Sequence, residues 1–68
     1  MTRDYSITLQ DSAGKTLEVA IDGASIDNEI SNGATEAQAV EGAEQNAFAN
    51  AIYNGNIGAD CWVVSINR

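Results

Sequence analysis

The chain has 68 residues, with ten Asp and Glu against three Lys and Arg, and a formal charge of −7. A chain this short buries only about 60% of its unfolded surface, so residues 1–68 are read as one small domain with one core. With no His and a single Cys, a Ser-His-Asp triad, a Cys-His dyad, a zinc site built on His or paired Cys, and an internal disulfide are all excluded within one chain. Three cations are also too few to hold a run of phosphates, which argues against direct nucleic-acid binding.

No apolar run reaches the length of about 18 residues that a membrane span needs. The opening Met1-Thr2-Arg3-Asp4 lacks the apolar stretch of a secretory signal, so a cytoplasmic location is expected. The charge alone would suit a disordered chain. Against that, 44% of residues are apolar and none is proline, and the branched residues fall in regular patterns.

Tyr5-Ser6-Ile7-Thr8-Leu9-Gln10 alternates apolar with polar, as a half-buried strand does, and Thr16 to Asp22 repeats the pattern with Leu17, Val19 and Ile21 inward. Asp11-Ser12-Ala13-Gly14-Lys15 between them supplies turn residues, which predicts a β-hairpin. The next stretch, 23–34, reads as an ordered connection pinned by Ile26 and Ile30, with one turn of helix capped by Ser25 or else a short strand.

Thr35-Glu36-Ala37-Gln38 matches a capping box, and Asn54-Gly55 is a stop signal, so an alanine-rich helix is predicted from Glu36 to Tyr53. Its buried face is expected at Val40, Ala43, Ala47, Phe48, Ala51 and Ile52. Gly42 interrupts this helix at a cost of about 1 kcal/mol. Glu44 falls between Val40 and Phe48 on the wheel, so it sits either at a rim or beside a specific partner. Asn56 to Ala59 is a loop, and Asp60 to Ile66 a last strand with Trp62, Val64 and Ile66 on one face and Cys61, Val63 and Ser65 on the other. The sum is an α+β fold in strand-strand-helix-strand order, a three-stranded antiparallel sheet in order 2-1-3. The helix lies on one face, and Trp62, Val64 and Ile66 are expected to meet it.

Chemistry is sparse. Cys61 follows Asp60, whose charge would raise a thiol pKa, and so reads as a quiet strand cysteine. Asp22, Asp27, Asn28 and Glu29 are rich in oxygen but miss calcium-loop spacing. Gly55-Asn56-Ile57-Gly58 is formally a phosphate-gripping GxxG without a cation near it. Neither a catalytic residue, a metal nor a cofactor is expected, and an enzyme is disfavoured. What stands out is the acidity. Carboxylates held at helical and strand spacings sit about 5–7 Å apart, close to the spacing of neighbouring phosphates, and can occupy a groove lined by Lys and Arg. The acids expected to do so are Asp22, Asp27, Glu29, Glu36, Glu41 and Glu44, with Tyr53 as a contact anchor.

The length, the acidity, the element order and the capped helix beginning Ala34-Thr35-Glu36-Ala37-Gln38-Ala39 resemble, in outline, the small acidic proteins of phages and mobile elements. Among these the chain is similar in style to the anti-CRISPR proteins that block type I surveillance complexes. The resemblance implies an inhibitor in the host cytoplasm that binds a CRISPR-Cas complex at its crRNA- or DNA-binding lysines and arginines. A different expectation is a homodimeric structural or interaction module. In that reading the acidity serves solubility, and the apolar residues Cys61, Val63 and Ala20 on the second sheet face meet a partner copy.

Overall fold

Alternation places Ile7 and Leu9 on the same side as Val19 and Leu17. In the computed structural model, which describes residues 2–68, β1 (Tyr5–Gln10) and β2 (Thr16–Ile21) pair antiparallel with Ile7 opposite Val19 and Leu9 opposite Leu17. A third strand, β3 (Trp62–Asn67), pairs antiparallel with the other edge of β1, giving the order β2-β1-β3. The expected α+β architecture and strand order are therefore those of the protein.

Residues 23–31 form a full helix, α1 (Gly23–Ser31), longer than the single expected turn. Its cap is Asp22, not Ser25: the Asp22 carboxylate accepts the Ala24 N–H at 3.0 Å, and the Ser25 hydroxyl donates to the same carboxylate. Ile26 is fully buried, whereas Ile30 is exposed, so one isoleucine, not two, pins this segment.

The second helix, α2 (Glu36–Tyr53), has the predicted bounds. The Thr35 hydroxyl accepts the Gln38 N–H, and the Gln38 side chain accepts the Thr35 N–H. At the other end Gly55 takes φ +72°, which lets the Gly55 and Asn56 N–H groups reach the carbonyls of Ile52 and Ala51. Of the expected inner face, Ala51 is buried and Val40, Ala43, Ala47, Phe48 and Ile52 pack against the core from its margin. Ala39 is buried as well, because α1 packs on the flank of α2 and shifts the covered arc towards it.

β3 departs from its expected arrangement. A bulge opposite Thr8 and Leu9 pairs Thr8 with Ser65 but Leu9 with Val63, leaving Val64 without a counterpart. The extra residue reverses the face of everything before it. Ile66 keeps the helix side with Ile7, Val63 joins it beside Leu9, and Trp62 falls on the open face beside Gln10. Trp62, Val64 and Ile66 therefore do not form a common core face: they are 49%, 52% and 45% exposed. Cys61, placed by alternation on the outer face, packs against the core instead. The core lies under β1 and β2, where α2 sits, and includes Ile57 from the loop after α2.

Candidate functional site

The ten acids divide by what their carboxylates do. Asp11 is buried in the hairpin turn, where it accepts N–H groups from Ala13, Lys15 and Gly58, each at 3.0 Å. The Gly58 N–H is the main reason its carboxyl is held below the ordinary value. Asp27 accepts both the N–H and the hydroxyl of Thr2, and those bonds likewise depress its pKa. Asp4 accepts the Gly23 N–H at 2.8 Å, Asp22 caps α1, and Asp60 accepts the Ser12 hydroxyl. These five hold segments of the chain together.

Glu36 and Glu41 bond to no distant segment among the described residues, and Glu44, though tied to Tyr5 of β1, shares their side of α2. With Val40 and Phe48 they line an open groove along one side of α2, and Arg68 closes it from the end of β3. Spacings of four residues put Glu36, Val40, Glu44 and Phe48 in one stripe, with Glu41 on the adjoining stripe. Glu36 and Glu41 are exposed and Glu44 half-buried. The partner of Glu44 is Tyr5, whose hydroxyl donates to it, while the Arg68 guanidinium lies 5.2 Å from the centre of the Tyr5 ring. Burial first, and the Glu44 carboxylate second, push the Tyr5 phenol from 10.0 up to about 12.

That shift has a checkable consequence. In a Tyr53→Phe background the remaining phenol titrates at about 12 by ultraviolet difference absorbance, and adding Glu44→Gln moves it part of the way back towards 10.0. A folded-state value above the unfolded one stabilises the fold below pH 10, and that contribution is lost as pH rises through about 12.

The other expected contact residues lie elsewhere. Glu29 faces a separate polar cleft between the helices with Asn28, Gln38 and Asn46. Asp22 and Asp27 belong to the start of α1 and its tie to the N-terminal segment. Tyr53 is 90% exposed at the end of α2. It lies nine residues beyond Glu44, about 13 Å along the axis and half a turn around it. The structure thus brings together Glu36, Glu41 and Glu44 but not the remaining four. Arg68, which lines the groove, and Tyr5, which bonds to Glu44 of its wall, are the residues that sequence reasoning missed. The signal for Tyr5 was Glu44 itself, an acid on an apolar arc that needed a donor.

Among the described residues no group of three His, Cys, Asp or Glu is placed to hold a metal ion, and no helix is long and apolar enough to cross a membrane. No family model, curated protein or solved structure matches the chain.

Proposed function

We propose that this protein is a non-enzymatic inhibitor that occupies a basic surface built for nucleic acid, its carboxylates standing in for phosphates. The observation that supports the reading is the wall of α2. Three carboxylates stand on one rigid helix at fixed intervals, flanked by apolar side chains that add contact area. Acids kept only for solubility need no such order. A net charge of −7 would speed the encounter with a cationic groove and make it sensitive to salt. The resemblance to type I anti-CRISPR proteins makes a purified type I surveillance complex the first target to assay.

The test is binding of the pair variant Glu36→Gln, Glu41→Gln to that complex, measured by surface plasmon resonance across a salt series. Among the described residues neither carboxylate bridges two segments of the fold: Glu36 is exposed at the start of α2, and Glu41 accepts from Gln45, one turn along the same helix. At roughly 0.2–1 kcal/mol for each exposed charge contact, the pair weakens binding about 2–30-fold at low salt, and the difference shrinks as salt rises. Parent-like affinity at every ionic strength would reject phosphate mimicry by α2. Tyr53→Ala in the same assay separates a contact at the far end of the helix from one in the groove.

A further inference from the structure

We propose that two copies of this chain join edge to edge through β3, forming a continuous six-stranded antiparallel sheet across a twofold axis between Val64 and Ser65. The proposal stands independently of the reading of α2 as a phosphate mimic.

Four observations carry it. First, β3 is an edge strand in which all six residues are exposed, including Trp62, Val63, Val64 and Ile66 at 45–52%. Unpaired N–H and C=O groups beside a run of large apolar side chains form a template for another strand. Second, β3 is the edge that charge leaves open. Trp62–Asn67 contains no ionised residue, whereas β2, the opposite edge, carries Glu18. Two copies at −7 each repel, so they can meet closely only where neither presents a carboxylate.

Third, the bulge makes self-pairing consistent. Residues facing each other across an antiparallel pair must share a sheet face. Trp62, Ser65 and Asn67 share the face of Gln10, Thr8 and Ser6, while Val63 and Ile66 share that of Leu9 and Ile7. A twofold between Val64 and Ser65 sets Trp62 against Asn67 of the second copy, and Val63 against its Ile66, without a clash of faces. Val63 and Ile66 then meet their symmetry mates in a four-membered apolar cluster on the helix side. The same register sets Arg68 opposite Cys61 of the second copy at each end of the seam, both on the helix side. An unbulged strand could not pair with itself in this odd register.

Fourth, the single chain is under-packed. Its accessible area is 4507 Å², against about 4,100 Å² expected for a monomer of 7.1 kDa. Its radius of gyration is 12.5 Å, against about 11 Å, and its extents are 39 × 21 × 16 Å. Within it, β3 is exposed along all six residues and its packing is dominated by β1.

Sedimentation equilibrium over a micromolar-to-millimolar series tests the pairing. The expected result is a monomer–dimer equilibrium between 7.1 kDa and twice that mass. Val64→Lys, at the position unpaired with β1, raises the dissociation constant at least about tenfold, because it sets two lysines beside the axis, and it leaves the circular dichroism unchanged. Arg68→Cys tests the register. Within one chain Cys61 and position 68 are separated by about 23 Å of strand, but across the proposed seam they face each other within disulfide reach. Mild oxidation therefore yields a covalent dimer from Arg68→Cys and none from the parent. A strict monomer throughout the series, a dimer indifferent to Val64→Lys, or a dimer of Arg68→Cys that does not cross-link would each overturn the proposal.

Discussion

Ile26→Ala costs about 2–5 kcal/mol of folding free energy, the range for truncating a buried isoleucine. Ile26 is fully buried and belongs to α1, yet it joins the same core as Ile7 and Ile21 of the sheet. A single core in a chain of this size rarely supplies more than about 3–5 kcal/mol, so one truncation removes most of the margin. At about 4–8 °C per kcal/mol for a small domain, the thermal midpoint falls by about 8–40 °C, and the variant is largely unfolded at 37 °C. Ile30→Ala is the control. At 38% exposed it has solvent on one side already and costs less than about 1 kcal/mol. Thermal melts followed by circular dichroism at one fixed protein concentration distinguish the two, concentration being held because self-association would itself raise the midpoint. Equal losses would mean that α1 is held by both isoleucines.

That contrast also shows where sequence patterns carried information and where they did not. The hairpin and α2 were legible because each is specified locally: strict alternation with a turn, and a capping box with a glycine stop. The helix α1 was not. Gly23, Ser25, Asp27, Asn28 and Ser31 are indifferent helix formers, and its order comes from afar, through Ile26 in the core and Asp27 holding Thr2. The faces of β3 were misread for a related reason. A bulge leaves no trace in an apolar run such as Trp62-Val63-Val64, and only the pairing with Thr8 and Leu9 reveals which residues look inward. For the candidate site, Glu36, Glu41 and Glu44 followed from helical spacing. Arg68 and Tyr5 did not, because strands distant in sequence bring the one to the groove and the other to Glu44. Asp11 looked like an ordinary turn acid, yet it anchors the hairpin to Gly58 in the loop before β3.

Gly23→Ala and Gly42→Ala, the same substitution in two helices, change stability in opposite directions. A Cβ at Gly23 would lie 2.0 Å from the carbonyl oxygen of Thr2 and within 3.0 Å of the backbone of Arg3. Backbone cannot rotate aside as a side-chain tip does, so the N-terminal segment has to lift off α1. Lifting it strains the Asp4 bond to the Gly23 N–H and the Asp27 bonds to Thr2, which hold that segment in place. Overpacking of this kind costs about 1–3 kcal/mol, and exchange of the backbone amide at position 23 accelerates together with the global loss. At Gly42 a Cβ meets nothing within 4 Å, so alanine only removes the backbone freedom that glycine brings to the unfolded chain, a gain of about 1 kcal/mol. Urea melts of the two variants should bracket the parent. If Gly23→Ala instead stabilised like Gly42→Ala, residues 2–4 would not be held against α1, and the hydrogen bonds of Asp4 and Asp27 would have no part in the fold. Because those two carboxylates are occupied there, Asp4→Asn and Asp27→Asn should shift stability, whereas Glu36→Gln and Glu41→Gln should shift binding. The division of the acids into those that hold the chain and those that face outward thus becomes measurable on one set of variants.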